Sequence, residues 1–147
     1  MRILKVDFID DENLVVYYFY DEEIKTEEQA KVFFRLLDNE LKKRYHYEFH
    51  GFYNVDIYRK GNLLVLVFEY LDDFARKDFD ITMYVNSVLL YEFEDIDLYS
   101  GKKIFYNNKY YIELDDCIDD IGLFEFGNII YGDKVEEVLN GGKLIEI

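Results

Sequence analysis

Residues 26–70 constrain this chain more than any other stretch, because an amphipathic helix pattern runs directly into a hydrophobic β-hairpin pattern. Thr26-Glu27-Glu28-Gln29 spells a capping box. The Thr26 hydroxyl is placed to accept from the Gln29 N–H, and the Gln29 side chain to accept from the Thr26 N–H. Ala30, Phe33, Phe34, Leu37, Leu41 and Tyr45 then recur at spacings of three and four, which puts them on one apolar stripe. Val32 and Leu36 flank that stripe, so a wide buried face is expected. Glu27 and Glu28 open the helix while Lys42, Lys43 and Arg44 close it, matching side-chain charge to the macrodipole at both ends.

Behind the helix, residues 52–59 and 63–70 read as the two arms of a hairpin, with Lys60-Gly61-Asn62 as its turn. The first arm alternates, with Val55, Ile57 and Arg59 opposing Asn54, Asp56 and Tyr58. Leu63-Leu64-Val65-Leu66-Val67-Phe68 is apolar on both faces, as a central, covered strand is. Upstream, residues 3–9 and 14–20 read as strands around an Asp10-Asp11-Glu12-Asn13 turn. The order β-β-α-β-β predicts a compact lobe with one long helix packed on an antiparallel sheet.

The pattern breaks at residues 72–78, which are expected to connect this lobe (residues 1–71) to a second, β-rich lobe (residues 79–147). The chain holds no proline, so no ordinary linker signal marks the join. Residues 79–93 read as extended, with a polar kink at Asn86-Ser87, although part of 85–91 also fits a short helix. Residues 102–106 and 109–114 form a hairpin around Asn107-Asn108, two residues that tolerate the positive φ of a two-residue turn. Residues 123–126 and 129–131 are short strand candidates. Residues 133–139 read as a short helix with Asp133 as its N-cap and Gly141-Gly142 as its stop, before a terminal strand at 144–147. The fold class expected is therefore α+β in two small lobes.

Half of the residues are apolar, and aromatics make up 19%, so the chain can fill a core despite its charge. Net charge is −15: residues 1–75 carry 10 basic and 16 acidic side chains, residues 76–147 carry 7 and 16. An excess spread over both halves disfavours binding to nucleic acid phosphate and suits a basic partner, or simply solubility. Met1-Arg2-Ile3-Leu4 is not expected to begin a signal peptide, since Lys5, Asp7 and Asp10 interrupt any apolar core. No apolar run approaches the roughly 20 residues of a membrane span. With Cys117 as the single cysteine there is no disulfide framework, and a reducing bacterial cytoplasm is the expected setting.

No catalytic or metal constellation stands out over a plainer role. His46-Tyr47-Glu48-Phe49-His50 holds both histidines, four apart on a helix or on one face of a strand. It spans a helix-to-strand junction, however, and a structural zinc site needs four protein ligands. Asp115-Asp116-Cys117-Ile118-Asp119-Asp120 lacks the alternating acids, central glycine and terminal glutamate of a calcium loop, and reads as a solvated acidic loop. Cys117 reads as a small half-buried hydrophobe, without the local signature of a thiol enzyme. The glycines spell neither a dinucleotide fingerprint nor a phosphate loop. A non-enzymatic protein without cofactor or metal is expected.

Several segments resemble MecA-type adaptor proteins. The helix from Glu27-Glu28-Gln29 to Leu41, with Phe52-Tyr53-Asn54-Val55-Asp56-Ile57-Tyr58 and Leu63-Leu64-Val65-Leu66-Val67, is similar to that family's N-terminal domain. Phe93-Glu94-Asp95-Ile96 looks like the acidic turn of its C-terminal domain. Ile104-Phe105-Tyr106-Asn107-Asn108-Lys109-Tyr110-Tyr111-Ile112-Glu113-Leu114 is similar to that domain's aromatic hairpin. Glu125-Phe126-Gly127 and Gly142-Lys143-Leu144-Ile145 echo its later segments in order. The chain departs from the family in a much shorter linker, in a largely missing helix after the hairpin, and in a reduced C-terminal helix. The resemblance implies an adaptor whose first domain captures client proteins and whose second docks on an Hsp100 (ClpC-type) unfoldase. Phe93, Glu94, Asp95, Tyr110 and Tyr111 are then the docking candidates. The alternative suggested by charge alone is an acidic inhibitor, such as an immunity protein, that binds a basic toxin or a DNA-binding protein.

Overall fold

The structure, a computed structural model, describes residues 2–72, 77–115 and 127–146. Cys117, most of the acidic loop around it and the strand candidate at 123–126 lie outside the described residues. The fold is α+β, with two helices and ten strands in two five-stranded sheets among the described residues. Two compact units divide the chain, the first comprising Met1–Ile57 and Asn62–Tyr84, the second Tyr58–Gly61 and Val85–Ile147.

The first unit is built on β1 (Arg2–Phe8), β2 (Leu14–Phe19), α1 (Glu27–Tyr45), β3 (Phe52–Lys60, as far as Ile57), β4 (Leu63–Asp72) and β5 (Asp78–Tyr84). Its sheet order is β1-β2-β4-β3-β5. Strand β4, apolar on both faces from Leu63 to Phe68, is central, as that pattern requires, and β2 beside it is also buried from Leu14 to Tyr18. The capping box of α1 is formed: the Gln29 N–H donates to Thr26 Oγ1 at 3.1 Å and the Thr26 N–H to Gln29 Oε1 at 3.1 Å. Phe33, Phe34, Leu37 and Leu41 are buried against Leu14, Val16, Tyr18, Val55, Ile57, Leu64 and Leu66 of the sheet.

Two expectations about this unit are corrected. Val32 and Leu36 are 45% and 37% exposed, so the covered face of α1 is narrower than its apolar residues suggest. Strand β5, assigned by sequence to the second lobe, is the edge strand of the first sheet. The physical reason is its alternation: Phe79, Ile81 and Met83 turn inward onto the first core, while Asp78, Asp80, Thr82 and Tyr84 stay exposed. The Phe79 ring stacks on Phe34 at 4.7 Å and on Tyr53 at 5.9 Å.

The second unit contains β6 (Leu90–Phe93), a 3-10 turn (Ile96–Leu98), β7 (Lys102–Tyr106), β8 (Lys109–Glu113), β9 (Gly127–Ile130), α2 (Asp133–Gly141) and β10 (Lys143–Glu146). The sheet order is β10-β7-β8-β6-β9, and every pairing is antiparallel. Asn107 and Asn108 adopt φ of 52° and 66°, the left-handed pair that a tight hairpin needs. Residues 85–89 form no helix; the chain turns at Asn86, also at φ 52°, before entering β6. Helix α2 is capped by Gly132 at φ 63° rather than by Asp133, which becomes its first residue. Val135 and Val138 bury α2 against Leu90 and Tyr111.

Candidate functional site

Strand alternation gives the second sheet two different faces. On one, Phe93 of β6 lies opposite Tyr110 of β8, which lies opposite Phe105 of β7. Three aromatic rings thus form a row across three adjacent strands, where cross-strand pairs stabilise a sheet most. The Phe93 and Tyr110 rings stack at 5.9 Å, and Tyr110 meets Phe105 at 5.2 Å. Tyr99 closes the row from beyond the 3-10 turn, 5.0 Å from Phe93 and edge-on to Tyr91 at 5.7 Å.

Exposure differs sharply along this row. Phe93 and Tyr91 are each 1% exposed and form its floor, Phe105 and Tyr110 are half-buried, and Tyr99 is 37% exposed. Glu94, Asp95 and Asp97 follow the end of β6 and are all exposed. The Asp95 carboxylate accepts from the Asp97 N–H at 3.0 Å and caps the 3-10 turn. The acids are therefore held at the rim of the aromatic row by local backbone geometry. Ring faces beside fixed carboxylates suit an arginine or lysine of another protein, which stacks on the ring and pairs with the acid.

Of the docking candidates, Glu94 and Asp95 are solvent-facing and Tyr110 is partly so, whereas Phe93 and Tyr111 are core residues. Tyr110 and Tyr111, neighbours in sequence, point to opposite faces because side chains alternate along a strand. On the α2 face the Tyr111 hydroxyl donates to Glu92 Oε2 at 2.6 Å, and Lys109 Nζ donates to Glu92 Oε1 at 3.2 Å. Burial, and next the Glu92 hydrogen bond, hold the Tyr111 phenol above its ordinary pKa. Beside it, the Tyr106 hydroxyl donates to Glu137 Oε1 of α2 at 2.9 Å, a bond that raises the Tyr106 phenol as well. Sequence reasoning overlooked Glu92, although an acid inside the apolar run Leu90-Tyr91-Glu92-Phe93 is itself a signal that a partner waits on the covered face.

The two histidines are not brought together on a helix or a strand. Helix α1 ends at Tyr45, His46 caps it in the left-handed region at φ 52°, and β3 begins only at Phe52. Both residues are exposed. His50 Nδ1 lies 3.4 Å from the Tyr53 hydroxyl, which lies 3.3 Å from that of Tyr47. His50 also tilts over Tyr70 at 5.3 Å, a structural packing role. Among the described residues no group of three His, Cys, Asp or Glu side chains is placed to hold a metal ion. Among the same residues no helix is long and apolar enough to cross a membrane.

No family model, curated protein or solved structure matches this chain.

Proposed function

We propose that this protein works by binding another protein, as a non-enzymatic adaptor, and that the acid-rimmed aromatic face of its second sheet is the contact surface. One observation carries this reading: Phe105, Tyr110 and Tyr99 present partly exposed rings over the buried Phe93, with Glu94, Asp95 and Asp97 exposed beside them. Tyrosine and acid in one patch offer rigid contact area together with charge, which favours a basic, arginine-bearing partner. The resemblance of the hairpin and acidic turn to MecA-type adaptors supplies the partner to test first, an Hsp100 (ClpC-type) unfoldase.

The experiment is titration of the full chain against a purified ClpC-type unfoldase at low and high salt. The adaptor reading expects saturable binding, weakened at least tenfold by E94K/D95K and by Tyr110→Ala, with far-UV circular dichroism unchanged. A second reading rests on the net charge of −15. It is an acidic inhibitor of a basic toxin or DNA-binding protein, whose encounter that charge would steer. No binding to the unfoldase, with salt-sensitive binding to such a basic protein, would move the conclusion there.

A further inference from the structure

Helix α1 carries a second stripe on the side turned away from its core. Glu28, Val32, Arg35, Leu36, Asn39 and Lys43 fall on one arc of the helix, at offsets of 4, 7, 8, 11 and 15 residues, and all are exposed. The charges around it are segregated by position. Lys31 pairs with Glu27, Lys42 with Asp38 and Glu48, and Arg44 with Glu40. Glu28, Arg35 and Lys43 make no ion pair among the described residues. With five basic and four acidic residues, α1 is net positive in a chain of charge −15.

We propose that this outer face is an isologous interface, on which α1 of a second copy of this chain docks antiparallel. The stripe is self-complementary. A two-fold axis passing level with the junction of Arg35 and Leu36 sets Glu28 of each copy beside Lys43 of the other. The same axis sets Val32 level with Asn39 of the second copy and Leu36 level with Arg35, so the two Leu36 side chains lie within one residue's rise of each other at mid-helix. Two unpaired charges thus find opposite partners twice, across an apolar middle, which is the signature of a closed two-fold contact. The acidic start and basic end of the helix also oppose each other, so the macrodipoles align favourably. Arg35 lies at the rim, where its long stem carries the guanidinium to solvent. Repulsion between the remaining acidic surfaces is screened beyond about 8 Å at physiological salt.

A helix of 19 residues is roughly 28 Å long, and one such contact buries less than the roughly 800 Å² per partner of a standard interface, so the dimer is a weak one. This inference does not depend on the adaptor reading. The test is sedimentation of the full chain from roughly 5 µM to roughly 1 mM, a range that brackets weak association. The mass is expected to rise towards twice that of one chain. Glu28→Lys alone and Lys43→Glu alone should each weaken association at least tenfold, and the double variant E28K/K43E should recover it to within about threefold, because only the charge order is reversed. Circular dichroism confirms that each variant folds. A monomer at every concentration, single variants that associate like the parent, or a double variant that fails to recover would each overturn the proposal.

Discussion

The Tyr111 hydroxyl lies 2.6 Å from the Glu92 carboxylate, on the face of the second sheet opposite the one that carries Tyr110. Two adjacent tyrosines are thereby given different work, one holding a half-buried acid beneath α2 and the other lining an accessible aromatic row.

This division is measurable. Tyr111→Phe removes a charge-assisted hydrogen bond and leaves Lys109 as the partner of Glu92 among the described residues, which should cost about 1.5–3 kcal/mol in urea denaturation. Tyr110→Phe should stay within about 0.5 kcal/mol of the parent, since its hydroxyl has no hydrogen-bond partner among the described residues. Equal costs for the two would contradict the assignment of faces.

Neighbours on α1 divide in the same way. Leu37 is fully buried, and Leu37→Ala should destabilise by about 2–5 kcal/mol through lost burial and the cavity left behind. Leu36 is 37% exposed, so Leu36→Ala should shift stability by no more than about 0.5 kcal/mol. A large loss at Leu36 in the monomer would mean that the helix is rotated from the position described.

Gly127 pairs with Phe93 at the edge of β9, where a Cβ would collide with the Glu92 carbonyl oxygen and sit 2.7 Å from Cζ of the Tyr91 ring. A backbone oxygen in a paired strand cannot step aside. Gly127→Ala should therefore cost about 1–3 kcal/mol by overpacking, read as a lower midpoint in urea with an unchanged slope.

Alkaline pH should weaken the first unit through Tyr18. Burial first, then the charge of Glu40, push its phenol from 10.0 up to about 12. A raised phenol pKa means that the fold prefers the neutral form. The contribution to stability is thus complete below pH 10 and is lost as pH climbs from 10 towards 12. Tyr47 and Tyr111 are also raised, so the comparison of interest is with Tyr18→Phe, whose stability should fall less over that window. Identical pH profiles for parent and variant would sink the assignment.

Much of the architecture was legible from local chemistry alone. The capping box at Thr26 and Gln29, the three-and-four spacing of Phe33, Phe34, Leu37 and Leu41, the two-faced apolar run of β4 and the Asn107-Asn108 turn each act over a few residues. Each therefore specified its element without reference to the rest of the chain. The sequence by itself determined the helices, the hairpins and the α+β class.

Only the tertiary structure decided which faces are covered. Periodicity shows that α1 has apolar residues on more than one side, but not that the sheet takes Phe33 and Leu37 and leaves Val32 and Leu36 in solvent. Alternation shows that Phe79, Ile81 and Met83 share a side, but not that β3 is the neighbour waiting for them. Alternation likewise separates Tyr110 from Tyr111 and marks Phe93 as apolar, yet leaves open which of them a partner could reach. These outcomes depend on strand pairing and burial between residues far apart in sequence, and a local pattern carries no record of what will come to lie against it.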